Sequence, residues 1–162
     1  MTRTVAVRRE PLFEVRASTI QGQGVFARRR IRTGTRIIEY IGERIGDAEA
    51  DARYDDDAME RHHTFLFGIG KDTYIDAARG GNESRLINHS CDPNCAAYEE
   101  DRRIFIEAIR TIRPGEELTY DYRLEREGRP KASWKIQYAC HCGSEHCRGT
   151  MLKPARRRRV KG

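Results

Sequence analysis

Long apolar segments are missing from this sequence of 162 residues. No run approaches the roughly 18 apolar residues that indicate a membrane-spanning helix. The first ten residues are basic, but no apolar stretch follows them as it would in a secretory signal. We therefore expect a soluble, intracellular protein with no membrane partner. The length favours a single domain that carries the function itself.

Acidic residues are missing from the C-terminal tail. Residues 153–162 contain six cations and no carboxylate side chain, which accounts for the whole net charge of +6. Residues 1–152 therefore carry no net charge. We expect the tail to be a solvated end, and it would add at most a weak, salt-sensitive contact with nucleic acid or another acidic partner.

Cysteines are too closely spaced for a disulfide framework. The chain has five, an odd number, and Cys140, Cys142 and Cys147 fall within eight residues. This spacing favours a metal site in a reducing compartment. Tetrahedral zinc takes four ligands, and spacing alone leaves the fourth open between a further cysteine, His141 and His146.

The secondary-structure pattern is mostly β, with short segments of β-branched or alternating residues separated by glycine. The predicted strands are 13–17, 24–27, 36–43, 65–69, 73–76, 104–108 and 118–120. A helix is predicted over 47–53 with Asp47 as its N-cap, and one or two further helical turns within 132–138. A glycine-rich parallel α/β cofactor fold has no counterpart in this pattern.

Two segments place polar and reactive side chains between apolar ones, residues 85–95 (RLINHSCDPNC) and 116–122 (EELTYDY). Burying such groups is unfavourable unless a site uses them. Together the segments resemble the SET-domain lysine methyltransferases, and the resemblance extends over roughly residues 13–151. It implies a SET fold of small curved sheets, with a pseudoknot in which one segment threads a loop closed by the other.

The resemblance also divides the chain into domains. Residues 1–10 form an N-terminal extension, 11–125 the SET domain, 126–152 a linker with a post-SET zinc element, and 153–162 the basic tail. The first ten residues contain no cysteine, so we expect no zinc-rich pre-SET module.

S-adenosylmethionine is the cofactor that the resemblance implies. Its methionine end would lie against the loop Gly22-Gln23-Gly24, where glycine lets a backbone approach a ligand. Asn88 and His89 would hold the cofactor by hydrogen bonds, although a buried Asn-His pair also suits a purely structural role. The predicted cofactor-binding residues are Gly22, Gln23, Gly24, Val25, Arg85, Asn88, His89 and Tyr122.

Two tyrosines match the catalytic motif of the family. In an extended segment Tyr120 and Tyr122 face the same side. The resemblance makes Tyr122 the catalytic residue and Tyr120 the residue that limits how many methyl groups a lysine accepts, so we expect mainly monomethylation. Phe65 and Phe67 are predicted to line the substrate channel, and family members often carry tyrosine where this chain has Phe65.

For the zinc site, the resemblance implies Cys91 as the fourth ligand beside Cys140, Cys142 and Cys147. Cys95 is then a buried free thiol. The histidines at 62 and 63 are expected on a solvated surface.

The predicted function is that of a protein-lysine N-methyltransferase that modifies a histone or another basic protein. It would act in the nucleus of a eukaryote or the cytoplasm of a bacterium. The alternative is a non-catalytic, zinc-containing module that binds nucleic acid through the tail. The sequence does not indicate an oligomeric state.

Overall fold

The computed structural model describes residues 10–154. Most of the predicted N-terminal extension and most of the basic tail therefore lie outside the described residues. Within the described range the fold is mostly β, as predicted, with small sheets and few short helices. The longest of these helices has seven residues, and none could cross a membrane.

The strands and helices are short throughout the described range. In chain order the strands are β1 (Phe13–Ala17), β2 (Gln23–Ala27), β3 (Arg36–Tyr40), β4 (Glu43–Gly46), β5 (Leu66–Ile69), β6 (Thr73–Asp76), β7 (Asn88–His89), β8 (Cys95–Glu100), β9 (Arg103–Ala108) and β10 (Thr119–Tyr120). The helices are α1 (Asp47–Arg53) and α2 (Trp134–Gln137), with single 3-10 turns at Asp56–Ala58 and Glu83–Leu86.

Four sheets pack around two apolar clusters. Strands β1 and β2 form an antiparallel hairpin, and two three-stranded sheets have the orders β3-β9-β8 and β4-β6-β5. The fourth sheet is a parallel pair of β7 and β10, which joins the two segments that carry the predicted pseudoknot. The larger cluster includes Val25, Ile106 and Leu118, and the smaller one includes Tyr40 and Ile69. The parallel pair therefore lies beside the larger core.

The predicted strand 36–43 is two strands in the structure. Strand β3 ends at Tyr40 and pairs with β9, whereas β4 begins at Glu43 and pairs with β6. Between them, Gly42 approaches the backbone of Asp76 so closely that a Cβ atom there would collide with it. The chain passes from one sheet to another at this glycine. The alternation of residues along the sequence does not reveal such a change.

Strand β8 was not predicted because its sequence, CAAYEE, is rich in residues that disfavour strands. It nevertheless pairs along its whole length with β9. The connection is a tight turn in which Asp101 and Arg102 have φ values of 49° and 60°. Two successive left-handed residues are typical of the turn that suits a twisted hairpin. Tertiary pairing therefore overrides local preference here.

The predicted N-cap of α1 was wrong by one residue. Asp47 is the first helical residue, and the cap position is Gly46, which makes no side-chain capping hydrogen bond. Asp47 and Glu49 still lie in the first turn, where negative charge favours the helix dipole. The second predicted helical segment is confirmed as α2.

A buried carboxylate joins α1 to the sheet of β4, β5 and β6. Asp76, at the end of β6, accepts hydrogen bonds from Arg53 Nη1 at 2.9 Å and from the Tyr54 hydroxyl at 3.0 Å. Burial by itself would raise the pKa of Asp76, but the hydrogen bonds from Arg53, Tyr54 and the Ala78 N–H outweigh it and keep the pKa below its usual value. The carboxylate is therefore charged and satisfied in the folded state.

Replacing this carboxylate should destabilise the fold. We expect Asp76→Ala to lower the free energy of unfolding by about 3 kcal/mol, because it removes one partner of a buried ion pair. Since the folded pKa is depressed, the contribution is present above about pH 4 and is lost as the pH falls below it. Urea unfolding at neutral and acid pH measures both effects. The exposed Asp72→Ala is the control, with an expected change within about 0.5 kcal/mol, and an equal loss in both variants would contradict the assignment.

Candidate active site

Two adjoining cavities lie beside the parallel pair of β7 and β10. The larger has a volume of about 520 Å³ and the smaller about 90 Å³. Four residues line both: His62, Thr64, Arg85 and Tyr122. Tyr122 therefore stands where the two cavities meet.

The position of Tyr122 is set by two hydrogen bonds to the neighbouring segment. Its backbone N–H donates to Nδ1 of His89 at 3.0 Å, and its hydroxyl donates to the carbonyl oxygen of Ile87 at 2.6 Å. Burial, with a smaller effect from the Glu117 carboxylate, raises the pKa of Tyr122. The side chain is therefore a neutral phenol. Its hydroxyl hydrogen is engaged with the Ile87 carbonyl, and its oxygen lone pairs can still accept a hydrogen bond.

Aromatic rings line the larger cavity next to Tyr122. The ring of Tyr120 lies 4.9 Å from that of Tyr122 and 6.2 Å from that of Phe67, between centroids. Tyr40 completes this group, with its ring 5.2 Å from Phe67 and its hydroxyl donating to the Phe65 carbonyl at 2.7 Å. Burial raises the pKa of both Tyr40 and Tyr120, so these hydroxyls also stay protonated.

The structure divides the two predicted channel residues between the cavities. Phe67 lines the larger cavity, and Phe65 lines the smaller one. Phe65 lies edge-on to His63, with ring centroids 5.3 Å apart, and the Arg85 guanidinium lies 5.4 Å from its centroid. Of the two, only Phe67 lies in the same cavity as Tyr120.

The smaller cavity collects several of the predicted cofactor residues. Gly22, Gln23, Arg85, Asn88 and Tyr122 all line it. The side-chain amide of Asn88 donates to the carbonyl oxygens of Gln21 at 3.2 Å and Gln23 at 3.0 Å. Asn88 therefore holds the loop after β1 against β7, and the loop forms one wall of the cavity.

Three predicted cofactor residues lie behind this wall and do not line the cavities. Gly24 is buried, and a Cβ there would collide with the Glu117 carboxylate. Val25 is 1% exposed in the core, and its carbonyl accepts from the Leu118 N–H at 2.7 Å. His89 is 3% exposed, and burial lowers its pKa to about 4, so it is a neutral imidazole that positions Tyr122.

Tyr40 and His62 line the cavities but were not among the predicted site residues. Tyr40 carries no motif that separates it from an ordinary core tyrosine. His62 was expected on a solvated surface, but it is half-buried, lines both cavities and contacts Asp56 with Nδ1 3.2 Å from the carboxylate. The acidic residues near His62 in the sequence indicated a solvated surface. Only the folded chain places His62 beside the cavities.

Four cysteine sulfurs converge near the C-terminus of the described chain. The Sγ atoms of Cys91, Cys140, Cys142 and Cys147 all lie within 4.8 Å of one another. Ligands at about 2.3 Å around tetrahedral zinc lie just under 4 Å apart, so the donor set and its spacing suit zinc. The Arg148 and Gly149 N–H groups donate to the sulfurs of Cys91 and Cys147 at 3.3 Å.

The other candidate ligands stay outside this group. His141 and His146 are exposed, and Cys95 is buried in the larger core cluster. Burial raises the pKa of the Cys95 thiol to about 12, which leaves it protonated and poorly reactive. The cysteine group near the C-terminus is consistent with a post-SET zinc motif.

An ion pair links the segment that follows Cys147 to the segment that carries Tyr120 and Tyr122. Arg148 donates to both carboxylate oxygens of Asp121, at 2.8 and 3.0 Å. Such a bidentate pair fixes orientation as well as distance. Asp121 precedes Tyr122, and Met151, just beyond the cysteines, lines the smaller cavity. The cysteine element is therefore coupled to the site where the cavities meet.

A family model described as "SET domain" matches residues 22–123, which is more than half of the chain. The chain therefore belongs to the SET-domain family, as its motifs predicted.

Curated relatives support the same assignment. "Histone-lysine N-methyltransferase mes-4" of Caenorhabditis elegans is 38% identical over 156 residues, which covers 86% of this chain and 17% of the relative. "Histone-lysine N-methyltransferase SETD1B" of Homo sapiens is 38% identical over 141 residues, 83% of this chain and 7% of the relative. "Histone-lysine N-methyltransferase, H3 lysine-4 specific" of Aspergillus oryzae is 39% identical over 145 residues, 82% of this chain and 11% of the relative. The chain thus matches at most 17% of the length of these relatives.

Proposed function

We propose that this chain is an S-adenosylmethionine-dependent protein-lysine N-methyltransferase. The observation that carries the proposal is the position of Tyr122, which lines both the smaller cavity and the larger aromatic one. A methyl transfer between two bound molecules needs such a junction, because the donor and the acceptor must approach in line from separate sites. The names of the relatives, all histone-lysine N-methyltransferases, support the same reaction.

The smaller cavity is proposed to take the methionine end of the cofactor. Its walls combine the backbone of the Gly22 loop and the Asn88 amide with the apolar side chains of Leu86 and Met151. Arg85 supplies a guanidinium that suits a carboxylate. The volume is below that of whole-ligand pockets, about 300 Å³ or more, so we assign it one end of the molecule. The cofactor, when bound, supplies an electrophilic methyl group.

The larger cavity is proposed to take the lysine side chain. Tyr40, Phe67 and Tyr120 give the aliphatic part of a lysine an apolar wall, and desolvation there lowers the pKa of the ammonium. Tyr122 would accept a hydrogen bond from the amine and orient its lone pair. Because burial keeps Tyr122 protonated, it positions the amine rather than removing its proton, which leaves to solvent through the open cavity.

The proposed substrate is a histone or another basic protein. The relatives' names give histones as their substrates. In a eukaryote this would place the protein in the nucleus.

Zinc on Cys91, Cys140, Cys142 and Cys147 is proposed to be structural. Four thiolates leave no open coordination position for a substrate. The metal would hold the segment after α2 against the tyrosine segment, next to the Arg148–Asp121 pair. Residues 11–125 and 126–152 would then act as one catalytic unit.

Removal of the Tyr122 hydroxyl tests the proposed reaction directly. We expect Tyr122→Phe to lower kcat by about 100-fold or more, because the amine loses its orienting partner. Transfer of labelled methyl groups to a panel of histones and basic ribosomal proteins measures the rate, and calorimetry measures cofactor affinity, which should stay within a few-fold. The exposed Tyr98→Phe is the matched control and should keep full activity. Cofactor binding by the unaltered protein without transfer to any protein would instead favour a non-catalytic module.

The number of methyl groups tests the role of Tyr120. A hydroxyl on this buried ring, 4.9 Å from Tyr122, would restrict space around the amine, so we expect mainly monomethyl-lysine. Tyr120→Phe should shift the products toward dimethyl- and trimethyl-lysine. Mass spectrometry of a methylated peptide over time measures the distribution. Trimethyl-lysine as the main product of the unaltered protein would refute this role.

Metal removal tests the zinc site. We expect one zinc per chain by elemental analysis, and chelation should abolish methyl transfer before the domain unfolds. The physical reason is that the two core clusters contain none of the four cysteines, so the sheets should survive metal loss, as monitored by circular dichroism. Cys147→Ser should lose zinc, whereas Cys95→Ala should retain it. Full turnover by metal-free protein would contradict the proposal.

A further inference from the structure

An arginine-rich surface lies at the far end of β2 from the smaller cavity. Gln23, at the start of β2, lines that cavity, whereas the strand ends at Ala27 and continues directly into Arg28, Arg29 and Arg30. At about 3.3 Å per residue, Arg28 lies roughly 17 Å from Gln23 along the strand. The surface is therefore separate from the two cavities.

Two loops build this surface together. Ile31 and Ile112 exchange two backbone hydrogen bonds of 2.9 Å, and both side chains are buried. In extended backbone, side chains alternate between the two faces, so the residues next to the buried Ile31 and Ile112 point outward. Arg30 and Arg32 therefore lie on the same outer side as Arg113. We call the surface the arginine face. It consists of Arg16, Arg28, Arg29, Arg30, Arg32, Arg110 and Arg113, all exposed.

Only part of this positive charge is neutralised. Glu14 lies 3.9 Å from Arg16 and 4.0 Å from Arg28, and Glu116 lies 3.3 Å from Arg110. Glu10 lies two residues before Leu12, whose carbonyl oxygen accepts from the Arg28 N–H at 3.0 Å. Within residues 10–154, no hydrogen bond or ion pair engages the remaining four guanidinium groups. They belong to Arg29, Arg30, Arg32 and Arg113. Guanidinium groups held close together repel one another. Binding of a polyanion to the arginine face would reduce this repulsion.

The composition of the arginine face favours phosphate over an acidic protein surface. All of its cations are arginines. The planar guanidinium group of arginine can donate two parallel hydrogen bonds to two oxygens of one phosphate. A protein interface normally has an apolar centre with few charges, and Ile109, 43% exposed, is the one large exposed apolar side chain in the two described loops. Because residues 1–152 carry no net charge, this charge is concentrated locally rather than spread over the domain.

We propose that the arginine face binds the phosphate backbone of double-stranded nucleic acid. The contacts would be independent of base sequence and sensitive to salt, because each engaged phosphate releases counterions. This surface differs from the basic tail, and its binding does not depend on methyl transfer.

Fluorescence anisotropy with a labelled DNA duplex and the full chain tests the proposal, over about 50 to 200 mM salt. The test variant combines Arg29→Gln, Arg30→Gln and Arg32→Gln. The matched control removes three exposed cations elsewhere with Arg61→Gln, Arg129→Gln and Lys135→Gln. A third variant neutralises the tail at positions 156–159 (R156Q, R157Q, R158Q and R159Q).

We expect the test variant to bind at least about 10-fold more weakly than the control. Its slope of log affinity against log salt should fall by about two to three, close to one for each lost phosphate contact. Equal affinities of the test and control variants would overturn the proposal. Loss of all binding in the tail variant alone would also overturn it. So would an unaltered chain that binds no DNA, whether or not it binds an acidic polypeptide.

Discussion

Two buried polar side chains, Asn94 and His89, hold the segment that carries Tyr120 and Tyr122 in place. The Asn94 amide donates to the Glu117 carbonyl at 2.8 Å and accepts from the Thr119 N–H at 2.9 Å, and His89 accepts from the Tyr122 N–H. Strands β7 and β10 have only two residues each, so their ladder alone gives few hydrogen bonds. The side chains supply the rest, and leaving any of these buried groups unpaired would be costly.

The same two segments also position the wall of the smaller cavity. The Glu117 carboxylate accepts from the Ser18 hydroxyl at 2.8 Å and from the Asn88 amide at 2.8 Å. Asn88 in turn holds the loop that contains Gly22. One connected set of hydrogen bonds therefore places both the loop of the smaller cavity and the tyrosines of the larger one. This explains how short strands can give a defined junction between two cavities.

Charge is distributed unevenly over a domain with no net charge. The segment around α1 carries Asp47, Glu49 and Asp51, of which Asp51 lines the larger cavity, while the arginine face lies at the end of β2 away from the smaller cavity. A basic peptide would be attracted to the first region and a polyanion to the second, so one small domain could contact a nucleoprotein through two distinct surfaces. The two attractions would respond separately to mutation, because the two regions share no residue.

The sequence by itself determined the family, the mostly β composition and several of the polar residues that line the cavities. The family follows from the resemblance carried by residues 85–95 and 116–122, and the β composition follows from short alternating segments between glycines. Only the tertiary structure decided that β8 is a strand, that the chain changes sheets at Gly42 and that Tyr40 and His62 line the cavities. The arginine face also depended on it, since residues 28–32 and 109–115 are distant in sequence. Such features arise from pairing across long sequence separations, where neighbouring residues carry no signal and packing overrides local preference.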